Sequence, residues 1–229
     1  MVAMKGLIKI MLTLALIFAS TFVIANSTGF LSIDKIEQWL AHARAVSPHY
    51  IAAIVVGLLF ADLFIAVPTL TIIILSGFFL GPLAGFAAAV TGLFASGIGG
   101  YSLSILYGDR LSRFLIKDPA ERQSAKNAFL RHGFLTILMS RAMPILPEVS
   151  ACMAGITRMP FLKFLLAWTM SAVPYAAVAT YAGSVSSLDN PKPAIVTAVG
   201  LTVFFWWCWF LFRRHLTQSA LSQIDETRL

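Results

Sequence analysis

Arg141 and Glu148 stand in the stretch SRAMPILPEVSACMAG, residues 140–155, with Pro144 and Pro147 between them. A guanidinium stays protonated and offers a planar fork of N–H donors that matches a carboxylate or a phosphate. A carboxyl group can pair with that fork or carry a proton. Asp62, shortly before Pro68, is a second acid set within an apolar run. Two uses of these charges are open: an ion pair from Arg141 to Asp62 or Glu148 that pins two segments together, or a phosphate taken by Arg141.

Nucleophilic or metal chemistry has little to work with. His42, His49, His132 and His215 lie at or outside the ends of apolar runs, and there is no H-E-x-x-H. Ser140-Arg141 lacks the following His and Asp that would complete a phosphatase motif. Cys152 and Cys208 are far apart in apolar sequence, so no disulfide framework or zinc spacing is available. No catalytic set, metal or cofactor is expected.

The solvent follows from composition. Hydrophobic residues make up 59% of 229, charged residues 12%, and the mean hydropathy is +0.83. Such a chain cannot cover a water-soluble surface, which identifies an all-α integral membrane protein. The net charge of +7 sits beside apolar runs, where it orients spans and meets anionic lipid rather than nucleic acid. At membrane depth each charge costs on the order of 3 kcal/mol. Asp62, Arg141 and Glu148 therefore need partners or water.

The runs that position those residues are irregular. Residues 6–25 form a first span, expected to be retained rather than cleaved as a signal, and 33–45 read as an interfacial amphipathic helix. Residues 50–80 are too long for one span, yet Pro68 leaves a second arm, 69–80, about 18 Å long as a helix. That arm is short of the roughly 30 Å hydrocarbon core. Residues 82–107 are a full span, and the loop 109–133 carries six Lys or Arg. The pattern then repeats: two short arms, 134–144 and 149–157, and a full span, 160–182. A last span, 194–212, ends in Trp206, Trp207 and Trp209.

Charge chooses the topology. If 50–80 dips in and returns, the six-positive loop lies inside, as the positive-inside bias favours. The result is four transmembrane helices and two opposed re-entrant helical hairpins in an inverted repeat, with both termini cytoplasmic. Only Lys35, Arg44 and Lys192 of the 17 Lys and Arg residues then lie outside. Domain limits of 1–48, 49–185 and 186–229 follow, with Pro68, Pro144 and Pro147 at the hairpin apices. Broken segments in corresponding halves are the mark of a transporter whose site lies where they meet. Gly77, Gly81, Gly85, Gly92, Gly100 and Gly155 are expected to let helices pack closely.

Pro68, SGFFLGPLAG at 76–85, GGYSLSILYGDR at 99–110, and RAMPILP with the later A-G and Pro160-Phe161 together resemble the DedA superfamily, also called the VTT or SNARE-associated Golgi protein domain. The resemblance covers roughly residues 45–185. It implies opposed re-entrant hairpins and movement of lipids between leaflets. Bacterial members are associated with recycling undecaprenyl phosphate with proton coupling, and eukaryotic relatives with phospholipid scrambling. Asp62 matches the family's acid before the first-hairpin proline, and Arg141 the first arginine of the second-hairpin motif. Pro147 stands where a second arginine is expected, and Leu70 or Thr71 where a second acid is. Glu148 is the candidate replacement carboxylate. These departures place the chain nearer the Golgi-vesicle-protein branch.

The expectation is a flippase or scramblase for a phosphate-bearing lipid in the bacterial inner membrane, with Arg141, Asp62 and Glu148 at its binding or coupling site. Proton coupling and homo-oligomerisation stay open. The alternatives are a membrane scaffold and an intramembrane lipid-modifying enzyme. Leaflet exchange in proteoliposomes separates the first from both.

Overall fold

The computed structural model describes residues 2–27, 38, 47–65, 67–115, 117–143, 145–186, 192–193, 195–204 and 206–207. The expected interfacial helix apart from Gln38, together with Pro144 and the end of the last span, lies outside these residues. The described chain is helical: α1 (Val2–Ser27), α2 (Pro48–Ala61), α3 (Thr69–Leu115), α4 (Pro119–Leu138), α5 (Leu146–Ile156), α6 (Phe161–Ser184) and the short α7 (Ile195–Phe204). Two stretches, Thr69–Arg110 and Phe161–Ser184, are long and apolar enough to cross a bilayer, with mean hydropathy 2.0 and 1.4.

α3 is two helices in one. Gly81 has φ 81° and ψ 176°, a conformation open to glycine alone. Pro82 follows, suited to a first helical position because it has no N–H to leave unpaired. In a continuous helix Ser76 and Gly85 would be about 13 Å apart along the axis, yet the Ser76 hydroxyl stands 3.2 Å from the Gly85 carbonyl. The chain therefore turns back sharply, splitting α3 into an arm, 69–80, and a limb, 82–115. Gly81 differs here from its expected packing role: a Cβ on it would meet nothing within 4 Å. Its service is the backbone turn.

The limb is the hub on which α2, α5 and α6 rest, while α1 packs against α4, and the limb's small residues are why those three come close. A Cβ on Gly92 would stand 2.7 Å from Leu59 Cβ, and one on Gly100 3.0 Å from Leu63. α2 thus runs parallel to the limb. α5 does the same, with Gly100 beside Ala151, Gly155 against Tyr101 and Ser104, and Gly108 against Ile156. α6 runs the other way, its Phe164 stacked on Tyr101 at 4.7 Å and its Trp168 bonded to Leu93. The arm crosses the far half of α6 backbone to backbone, Gly77 on Thr180 and Gly183 on Ile74. Across the turn a Cβ on Gly85 would lie 2.6 Å from the Ser76 carbonyl oxygen.

These registers set two helical hairpins against each other. The first, α2 and the arm, has its open end near Gly81, at the start of the limb. The second, α4 and α5, has its open end at the limb's other end, where Asp109 bonds Lys126 at 3.0 Å and Arg158 at 3.1 Å. Both tips arrive beside the middle of the limb. α5, only 11 residues long, is buried from Pro147 to Ile156, so its backbone ends are screened by protein rather than lipid.

The basic segment 109–133 differs from the loop expected of it. α3 continues to Leu115, and α4 runs unbroken from Pro119 to Leu138. Asp118 caps α4 by accepting from the Ala120 N–H at 2.9 Å. The charged and apolar halves of α4 are one helix because charge decides which solvent a helix meets, not whether it forms. On α6, Leu162, Leu166, Met170, Val178 and Tyr181 are exposed while Phe164, Trp168 and Ser171 are buried, as suits a helix with one face to lipid.

Candidate functional site

Asp62 sits where α2 ends and is 4% exposed. Its Oδ1 accepts from the Val67 N–H at 2.9 Å and its Oδ2 from the Thr69 hydroxyl at 2.8 Å. The carboxylate thus clasps the tip on which Pro68 sits, joining the end of α2 to the first residue of the arm. This is a structural role that spacing in sequence does not announce.

Arg141 lies in a 3₁₀ turn, Ser140–Ala142, after α4. The Ser140 hydroxyl, buried, donates to the Ile137 carbonyl at 2.7 Å and ties the turn to the helix. The chain then passes through Ile145 at φ 72°, a left-handed conformation unfavourable for a β-branched residue. That turn aims α5 back along the limb. Pro147 opens α5, and Glu148, 7% exposed, lies in its first turn, where the helix dipole favours an acid.

The two tips bring the predicted charges together. The Asp62 and Glu148 carboxyl groups are within hydrogen-bonding reach of each other, and Arg141 faces both. Arg141 forms an ion pair with neither, whereas Asp109 pairs with both Lys126 and Arg158. Its guanidinium carbon is 5.2 Å from the Trp168 ring centroid and 5.3 Å from that of Tyr175, while its Nε is buried without a hydrogen-bond partner. Two aromatic faces hold the cation by their quadrupoles. Neither ring was foreseen, because a Trp in apolar sequence is expected at the interface. Their spacing along α6 is the available signal.

Trp168 is itself fixed from behind. Its indole N–H donates to the Leu93 carbonyl at 3.1 Å, and the ring fills the notch left by Gly97, where a Cβ would lie 2.6 Å from Cζ2.

The tips border a cavity of about 420 Å³, lined by Asp62, Pro68, Arg141, Glu148 and Tyr175 among others. That volume is within the ordinary range for a small-ligand site. Leu70 and Thr71, which occupy the place of the second expected acid, also line it, as do Thr202 and Trp206 from the C-terminal end. Trp206 thus forms a wall of the cavity as well as a candidate membrane anchor. Among the described residues no three His, Cys, Asp or Glu side chains gather as metal ligands would.

Residues 67–185 match the VTT domain. Over 75 residues the chain is 27% identical to undecaprenyl phosphate transporter A of Bacillus subtilis (strain 168), covering 33% of this chain and 38% of that protein. The chain therefore aligns with well under half of that relative's length. No solved structure matches it significantly. The domain match runs from the first tip, through the reversal at Gly81 and the second tip, to the end of α6, more than half of the 229 residues, and on that extent the chain belongs to the VTT domain family of membrane proteins.

Proposed function

We propose that this protein moves a phosphate-bearing lipid between membrane leaflets, taking the headgroup at Arg141. The observation that carries the reading is a guanidinium held by two aromatic rings, without a paired carboxylate, at a cavity between two opposed hairpin tips. A phosphate oxygen pair satisfies that fork bidentately. The relative's name, undecaprenyl phosphate transporter A, supports the same substrate chemistry. In this reading the hairpins are re-entrant, four helices cross the membrane, both termini are cytoplasmic, and residues 49–185 form the transport domain. The departures at Leu70, Thr71 and Pro147 support a place nearer the Golgi-vesicle-protein branch.

The carboxyl pair supplies a second element. Two carboxylates in contact repel, so a hydrogen bond between Asp62 and Glu148 needs one proton held between them. Glu148 is faced by Asp62, Arg141, Tyr175 and Cys152. A phosphate arriving at Arg141 changes the charge beside this pair and so links headgroup binding to proton gain or loss.

The test is leaflet exchange of fluorescent phospholipid and of polyprenyl phosphate in proteoliposomes. Arg141→Lys keeps the charge but removes the fork. Losing one charge-assisted hydrogen bond costs about 1.5–3 kcal/mol, so exchange should fall about 10- to 100-fold. Unchanged exchange in that variant would sink the phosphate role, and a covalently altered lipid would indicate an enzyme instead.

A further inference from the structure

A second pocket, of about 300 Å³, lies at the end of the limb away from Gly81. Asp109, Ser112 and Arg113 of α3 line it with Pro119, Arg122, Gln123 and Lys126 of α4. Three cations thus face one anion. That anion is already engaged: Asp109 Oδ1 accepts from Lys126 at 3.0 Å and Oδ2 from Arg158 at 3.1 Å. Arg113 is anchored by its Nε, which donates to the Asp109 carbonyl at 3.2 Å, leaving the terminal nitrogens of the fork to the pocket. Asp118 caps the start of α4, so an anion here would be held by side chains rather than by the helix end.

The approach to this pocket is apolar. Leu103, Leu106 and Tyr107 are exposed on the limb, and Leu103, Leu106, Arg110 and Arg113 follow one another at helical spacing along one face. From Leu106 to Arg113 is about 10 Å along the axis. An apolar track leading into a cationic pocket has the layout of an amphiphile.

We propose that this pocket binds the phosphate headgroup of an anionic membrane lipid, whose chains lie along Leu103, Leu106 and Tyr107. Inorganic phosphate shares the headgroup chemistry but has nothing to place on the track. The site is separate from the central cavity and stands whether or not Arg141 carries a lipid.

The test titrates the purified full chain in detergent with dihexanoyl phosphatidic acid, dihexanoyl phosphatidylcholine and inorganic phosphate. It is run also in an Arg141→Gln background, which removes the central cation. Phosphatidic acid should bind more tightly than the other two in both backgrounds, and salt should weaken it. Each basic side chain near an anionic lipid is worth about fivefold. Arg113→Gln with Arg122→Gln should therefore weaken binding about 25-fold, leaving the Lys126–Asp109 tie in place. Gln123→Lys, which adds a cation, should strengthen binding about fivefold and tests the site even if the double variant fails to fold. Inorganic phosphate binding as tightly as phosphatidic acid would overturn the lipid assignment. A Gln123→Lys protein with unchanged affinity would overturn the site.

Discussion

Trp168 joins the frame to the charged centre, and replacing it with Leu tests both connections at once. The variant loses the indole hydrogen bond to the Leu93 carbonyl, about 1 kcal/mol. It also loses one of the two ring faces over Arg141, about 2 kcal/mol for a desolvated pair, and leaves a void at Gly97. The total is about 3–5 kcal/mol, within the range for large-to-small changes in a core. Gly97→Ala alone should cost about 1–3 kcal/mol by overpacking, since its Cβ would lie 2.6 Å from Cζ2 and 2.7 Å from Nε1 of the ring. Combined, the methyl group enters space the indole has left. The double variant should therefore be about 1–2 kcal/mol more stable than the sum of the singles predicts. Reversible unfolding in mixed micelles gives the three stabilities, and leaflet exchange should fall with Trp168→Leu as Arg141 loses its seat. Additivity within about 0.5 kcal/mol would refute the idea that Gly97 exists to seat this ring.

Two further variants address the turn and the carboxyl pair. Gly81→Ala should destabilise by about 1–3 kcal/mol through backbone strain alone, because nothing within 4 Å opposes the added Cβ; a loss no larger than that of Gly57→Ala, also unobstructed but helical, would contradict it. Glu148→Gln keeps a hydrogen-bonding partner for Asp62 and removes a titrating group, so exchange that varies with pH in the parent should vary less in the variant; a parent whose exchange does not vary with pH would end the proton role.

Legibility in the sequence followed how local the determining physics is. The break near Gly81 could be read because a 12-residue arm is too short for a bilayer and a Gly-Pro pair can end one helix and begin another. The nature of α4 was obscured because hydropathy tracks solvent: six basic residues in 109–133 looked like a loop, although nothing among them breaks a helix after Pro119. Arg141, Asp62 and Glu148 stood out as costly charges in apolar runs, but their meeting is a tertiary fact that no spacing encodes. Trp168 and Tyr175 were hidden for a related reason. Aromatic residues in membrane chains are ordinarily read as interface anchors, and only the fold turns these two toward Arg141.

The aromatic seat also bears on what kind of site this is. A buried guanidinium paired to a carboxylate would already have its fork filled, and breaking a buried pair costs about 3–5 kcal/mol. A phosphate would have to repay that before gaining anything. Ring faces instead hold the cation with about 2 kcal/mol each when desolvated and leave its N–H edges unoccupied, as the unpartnered Nε of Arg141 illustrates. Meanwhile Asp62, the acid of the first tip, accepts from the Val67 N–H and the Thr69 hydroxyl. Under the proposed function this division matters for turnover. A headgroup can enter without displacing a strong partner, and it can leave because the cation retains its rings. Tyr175→Ala would remove one of those rings, and on this argument release of the headgroup would slow while its capture survived, which binding and dissociation rates of a fluorescent phosphate-bearing lipid would read directly.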